Sequence, residues 1–452
     1  MWFLSALAAG LALTALIVGL GMRRYGGMDG LYMRVSGEVQ ARRPHPEFAP
    51  TPWASPVQAL KDRDPAGVAP MPAAPATGTA TRAAATATRA LIATSAPTKK
   101  PASGIVASAK STPRPTRTAI PSPSPDPDPA ADLPAAVRLE GLRHNWQTWN
   151  NCGPATLAMQ LSYFGSRLSQ ADVAAVLRPY RDDKNVSPEE MASFARGQGM
   201  RVAQRVNGDA DTLKRLLAAG VPVLIETWYE PKPNDGMGHY RLLVGYDDAA
   251  SEWIAYDSYD GRGLKKGDPY RGIRLPYDEV ARLWEVFNRT FVALYDDGRA
   301  AEVEAIVGTD AGEAEMWEAA LETARAAVQV NPENAFAWFN AGSSLAALGR
   351  HDQAAWAFDQ ARQVGLPWRM LWYQFGPFHA YYEVGRYDEV IALANATLRN
   401  AQIEELYYWR GMAENAKGDQ ANAEESFRRA LALNPYYAPA VAAQQEIAGP
   451  TS

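Results

Sequence analysis

Cysteine is almost absent from this chain: Cys152 stands alone among 452 residues. A lone cysteine excludes an intramolecular disulfide and a thiolate zinc cage, leaving either a small buried thiol or a reactive one. Histidine is nearly as scarce, with five, and there is no excess of positive charge, the formal net charge being −5. Without a basic face or stripe, nucleic acid is discounted as a partner. Aromatic residues are thin before about residue 135, where Pro, Ala, Ser and Thr crowd the chain, and nearly all Trp and Tyr lie beyond it. The folded mass is therefore C-terminal, and the length suggests two or three units.

Residues 1–24 hold the one long apolar run, Trp2 to Leu20, which is uncharged and ends at Arg23 and Arg24. Its length suits a bilayer-spanning helix. A cleaved signal peptide is the competing interpretation, but the apolar part is long and no small-x-small cleavage site follows. The expectation is a single-pass transmembrane anchor that attaches the protein to the membrane. Residues 25–135 then form a disordered Pro/Ala/Thr/Ser-rich linker, whose composition cannot bury enough apolar surface to fold. Arg23, Arg24, Arg34, Arg42 and Arg43 after the span favour a cytoplasmic body by the positive-inside rule. A spacer of this kind favours a domain lifted off the outer face, and an extracytoplasmic catalytic domain is the placement expected.

From 136 to 308 the composition turns to alternating helix and strand patterns. The opening stretch runs Gln147-Thr-Trp-Asn-Asn-Cys152-Gly153-Pro154-Ala155 into Leu157, Leu161 and Phe164 at helical spacing, with Gly165 as a C-terminal cap. Cys152 is thus predicted at a helix N-terminus, where unpaired N–H groups and the helix dipole favour a thiolate, the form that attacks carbonyls. Gly153 would let a substrate backbone approach. Gln147 is placed to join the Cys152 backbone N–H in holding an oxyanion, or else is an ordinary surface amide.

Further helices are expected after Ser169 and Ser187 and over Asp209 to Ala219. Strands follow at Val221 to Trp228, His239 to Tyr246, Trp253 to Asp257 and Thr290 to Tyr295, with a helix near Tyr277 to Trp284. The order is helices first, sheet second. His239 opens one strand and Asp257 closes the next across the Asp247-Asp248-Ala249-Ala250 turn, so an antiparallel hairpin brings the two ends together. That makes Cys152 a nucleophile, His239 its base and Asp257 the group that orients the imidazole, with Asp247 and Asp260 as alternative orienters. His45 lies in the linker, and His351 and His379 in the C-terminal helices, which leaves His144 as the rival base.

These residues resemble the bacteriocin-processing, double-glycine-leader cysteine peptidases and their wider peptidase-like relatives. The resemblance rests on Gln147, the Cys152-Gly153-Pro154-Ala155 helix start, Gly238-His239-Tyr240, Gly245-Tyr246 and Tyr256-Asp257. It implies an α+β papain-like fold with Cys152 as nucleophile, His239 as base, Asp257 as orienting residue and Gln147 at the oxyanion hole. Two departures bear on substrate: there is no P-loop or multi-span transporter, and Ser258 follows the aspartate where the family often has proline.

From 313 to 450 strand signals vanish and alanine-rich helical periodicity takes over. A shift of about 34 residues aligns Trp338 with Trp372 and Gly342 with Gly376, and Asn331-Pro332 returns as Asn434-Pro435. The stretch resembles an all-α solenoid of tetratricopeptide repeats, with Phe375-Gly376-Pro377 interrupting the middle copy. Such units bury their apolar faces by stacking, and they present a surface to a peptide or protein partner. Trp368, Tyr373, Tyr381, Tyr382 and Tyr407 are candidates to line it, against the simpler view that each is core. The function expected is a membrane-anchored cysteine peptidase hydrolysing peptide bonds, without metal or organic cofactor, its repeats recruiting a substrate or partner protein. A catalytically inactive scaffold, or a thiol acyltransferase or amidase on the same fold, are the alternatives.

Overall fold

The computed structural model describes residues 48–51, 133–180, 182–231, 236–265, 267–308 and 312–448. Its first unit is a sheet packed on helices. Seven strands, β1 (Ala136–Arg138), β2 (Arg201–Arg205), β3 (Val223–Tyr229), β4 (Met237–Asp247), β5 (Glu252–Asp257), β6 (Ile273–Pro276) and β7 (Phe291–Tyr295), form one sheet ordered β2-β7-β3-β4-β5-β6, with β1 beside β4. Every neighbouring pair is antiparallel. The expected order of helices before sheet fails at β1 and β2, which precede the main run of strands. Three residues at β1 are too few to show a period of two, and Arg201-Val-Ala-Gln-Arg carries little apolar alternation. At β1 the backbone closes on Gly245, where an added Cβ would stand 2.2 Å from the Val137 carbonyl oxygen.

Helix α1 (Cys152–Tyr163) runs through the middle of this unit and is buried along nearly its whole length. Leu157 and Leu161 share a core with Val223, Leu242 and Val292. Its one long polar side chain, Gln160, donates to the carbonyls of Pro222 and Val292 at 3.0 Å each, so burial leaves its amide nitrogen bonded. Helices α2 (Gln170–Leu177) and α3 (Pro188–Gly197) start as their sequences predict. Ser169 and Ser187 each take the N–H of the third helical residue, and Asp172 and Glu190 bond back to the capping residue. Asp209 caps α4 (Ala210–Ala218) through the Thr212 N–H. Helices α5 (Tyr277–Glu285) and α6 (Ala300–Val307) complete the unit.

The second unit is helical: α7 (Glu313–Val330), α8 (Ala335–Ala347), α9 (His351–Val364), α10 (Gly376–Glu383), α11 (Tyr387–Leu398), α12 (Glu404–Ala416), α13 (Gln420–Leu433) and α14 (Ala438–Ala448). The recurring glycines are contact points. A Cβ on Gly342 or Gly376 would fall 2.7 Å from the Phe358 ring, and one on Gly411 would fall 2.7 Å from Phe427. Hence the periodic Gly and Phe are one device: a bare backbone lets a ring lie flat between helices. The interrupted middle copy opens with a 3-10 turn, Trp368–Trp372, and a short α10 with Pro377 in its first turn, where the missing N–H costs nothing. Of the aromatics considered for a binding surface, Trp368, Tyr381 and Tyr407 are core.

The two units share packing. Trp228, Leu283, Val286 and Phe287 of the sheet unit belong to the same apolar cluster as the repeats. Asn340 donates to the Glu285 carbonyl at 2.7 Å, and Lys184 to that of Gln402 at 2.9 Å. A short segment ahead of both also docks on the array: Phe48 bridges Pro367, the Ala49 N–H donates to the Leu366 carbonyl at 2.7 Å, and Arg362 donates to the Pro50 carbonyl at 2.8 Å.

The expected membrane placement is corrected. No helix among the described residues is long and apolar enough to cross a membrane; the longest, α7, carries Glu313, Glu315, Glu318, Glu322 and Arg325, charges that a bilayer core would reject. The span expected within residues 1–24, and nearly all of the expected linker, lie outside the described residues.

Candidate active site

The hairpin of β4 and β5 sets the geometry. Its register puts Arg241 opposite Asp257, so His239 lies two residues along the same strand face and diagonal to that carboxylate. His239 Nε2 meets Asp257 Oδ1 at 2.9 Å. With Nε2 so engaged, Nδ1 is the ring nitrogen left for Cys152, whose nearness also raises the imidazole pKa. Cys152 opens α1 and is half-buried, whereas His239 and Asp257 are buried. The structure thus brings Cys152, His239 and Asp257 into one chain of contacts.

Electrostatics follow from that burial. Desolvation disfavours the charged form of His239, but the Asp257 carboxylate and the Cys152 contact outweigh it and push the imidazole up to about 9. Burial likewise opposes the charge on Asp257, yet His239 and Arg241 hold it well below the usual carboxylate range. The backbone N–H groups of Tyr259 and Asp260 also donate to Asp257 Oδ1, at 2.7 Å each. Asp257 is therefore an anchored anion, and neither of the alternative orienters holds its place: Asp260 pairs with Arg262 at 2.7 Å and Asp247 with Arg274 at 3.2 Å.

His144, the rival base, is turned elsewhere. Its Nε2 lies 2.8 Å from the Asp257 carbonyl oxygen, its ring stacks on Tyr270 at 3.5 Å, and burial lowers its pKa. Gln147 sits beside the dyad's far end. Its backbone N–H donates to the Ser258 carbonyl at 2.9 Å, and its Oε1 accepts from Ser258 Oγ at 2.8 Å. Gly153 is buried, and a Cβ there would meet Val186 at 3.3 Å and Met191 at 3.4 Å. The glycine answers to packing of the loop before α3.

Several contributors were missed from sequence. Arg241 donates from Nε to Asp257 Oδ2 at 2.9 Å and from Nη1 to Thr227 Oγ1 at 2.7 Å, with only 1% of its surface exposed. The signal was available, since residues i and i+2 of a strand share a face. Arg178 braces the loop ahead of Cys152 through the Trp149 carbonyl at 3.0 Å and Asn151 Oδ1 at 2.5 Å. Tyr229 and Tyr259 stand edge-on to the His239 ring at 5.9 and 6.2 Å. From the repeats, Tyr373 packs on the Gly238 backbone, where a Cβ would meet its ring at 3.0 Å.

The family model described as Peptidase_C39 like family matches residues 139–290. The chain carries a C39-like peptidase domain. Tetratricopeptide-repeat models match residues 308–364 and 404–437, so that domain is followed by repeats. The match is to the C39-like family at large and does not single out its leader-processing branch. Among solved structures, one described as a C39-like peptidase from Bacillus anthracis is 15% identical, with 36% of this chain and 98% of that chain covered and a TM-score of 0.28. The MamA RS-1 ArsTM double mutant is 18% identical over 26% of this chain and 67% of its own, with a TM-score of 0.25. No curated protein matches.

Proposed function

We propose that the C39-like domain is a cysteine peptidase acting on a peptide or protein, with Cys152 as nucleophile, His239 as general base and then acid, Asp257 as orienting anion and Gln147 as an oxyanion donor. The observation that carries this is His239 bonded to Asp257 at 2.9 Å with Cys152 near enough to raise its pKa. In the cycle, the thiol proton passes to His239 and the sulfur adds to the scissile carbonyl. The Cys152 backbone N–H and the Gln147 amide hold the resulting oxyanion. His239 then protonates the leaving amine, and water releases the acyl group from sulfur with His239 again as base. Asp257 keeps the ring in one tautomer and stabilises its charged form throughout.

The repeats support recruitment of a protein partner, since arrays of this kind present extended surfaces. Because Tyr373 rests on the backbone just before the base, the array is part of the catalytic body as well. The test is a peptide library incubated with the full chain and with Cys152→Ala and His239→Ala. Cleavage by the parent alone is expected. Equal cleavage by all three, or by none while an electrophilic probe labels all cysteine-containing forms equally slowly, would make the domain a binding scaffold.

A further inference from the structure

Asp257 and the residue after it face different partners. Asp257 turns to His239, whereas Ser258, of which 1% is exposed, turns to Gln147 and holds it twice: Oγ donates to the side-chain Oε1 at 2.8 Å, and the Ser258 carbonyl accepts the Gln147 N–H at 2.9 Å. A primary amide is two-faced, because a half-turn about its last bond exchanges an acceptor oxygen for a donor nitrogen. Presented the wrong way round, Gln147 would set a partial negative charge against a developing oxyanion. With Oε1 accepting from the Ser258 hydroxyl, Nε2 is the donor end, and the side-chain and backbone bonds together hold the amide in place. Preorganisation of this kind determines how much an oxyanion donor contributes, since a donor that must first rotate spends the interaction on its own reordering.

We infer that Ser258 is a positioning residue that fixes the Gln147 amide as an oxyanion donor and, through its peptide link to Asp257, ties that donor to the residue that orients the base. The inference rests on the role of Gln147 given under the proposed function. A purely structural Ser258, one that only closes the strand end, would affect all reactions of Cys152 alike.

Two probes separate these roles on the full chain. With p-nitrophenyl acetate the sulfur–carbonyl bond forms through a tetrahedral oxyanion, the ester C–O bond breaks, p-nitrophenolate departs and the thiol proton goes to His239. With iodoacetamide the same sulfur displaces iodide at a saturated carbon, and no oxyanion forms. Losing an oxyanion donor outright slows acyl transfer by about 10² to 10³-fold, so Ser258→Ala is expected to slow acylation at least about tenfold and to leave alkylation within about twofold. In a Gln147→Ala background Ser258→Ala is expected to add nothing further. Ser258→Gly carries the same expectations should the alanine variant lose its fold by circular dichroism. Unchanged acylation in Ser258→Ala beside a slowed Gln147→Ala overturns the inference alone, as does an equal fall in both reactions. Unchanged acylation in Gln147→Ala overturns it together with the assignment of Gln147.

Discussion

The peptidase domain and the repeat array differ in how often one contact recurs. In the array, Phe358 and Phe427 repeat one solution against Gly342, Gly376 and Gly411. In the peptidase domain the decisive contacts occur once each: Arg241 on Asp257, Asp257 on His239, Ser258 on Gln147. A repeated apolar contact tolerates loss of one copy more readily than a buried charge tolerates loss of its only counter-charge. Apolar contacts are therefore distributed through the array, which also buries an ion network of its own, Arg362 with Glu389 at 2.7 Å and Arg386 with Asp359 at 2.8 Å.

The sharpest way to break that contrast is Asp257→Asn. Turnover is expected to fall about 10² to 10⁴-fold through loss of the charge that stabilises His239, with hydrogen exchange of α12 and α13 unaltered. A fall confined to stability, or loosening of those distant helices, would contradict it. Next comes Trp228→Ala at the junction, where one ring belongs to both units. A cost of about 3 to 5 kcal/mol is expected, read by chemical unfolding as a single transition moved to lower denaturant. Two separated transitions in the parent chain would show that the shared core does not couple the units.

A pH titration sharpens the comparison from the charged side. His239 is raised from 6.5 to about 9, so its contribution to stability is present below 6.5 and lost as pH rises through about 9. Asp183 faces Arg178 and Glu190 from its own domain and Glu404 from α12, and Asn434 donates to it at 3.2 Å. Burial first, then Glu404 and Glu190, raise it from 3.8 to about 8, so its contribution also disappears as pH climbs through that value. Thermal stability is expected to decline from neutral pH to about 9, with exchange protection of 183–187 and the start of α12 falling first. Rising stability over that window would contradict both assignments. The smallest expected effect is Tyr373→Phe, which keeps the ring packed at Gly238 and should cost no more than about 1 kcal/mol in chemical unfolding.

What the sequence revealed divides along the same line. The array announced itself through periodicity, and the peptidase domain through a helix start at Cys152 and a hairpin joining His239 to Asp257, because both depend on local rules. Arg241 and Ser258 were one step away, since strand alternation and simple adjacency to Asp257 already placed them. Tyr373 and the Asp183–Glu404 contact were out of reach: each joins residues far apart in the chain, across a junction whose docking no local pattern encodes. At Gly153 no local pattern pointed to Val186 and Met191, which close on that backbone from a distant part of the chain.

Labelling of the full chain with a peptidyl vinyl sulfone, followed by mass spectrometry at neutral pH, tests most directly whether Cys152, His239 and Asp257 act as one unit. Rapid modification of Cys152 is expected in the parent, with His239→Ala slower by about 10²-fold or more and Asp257→Asn between them. Equal rates in all three, at the pace of a simple solvent-exposed thiol, would contradict it.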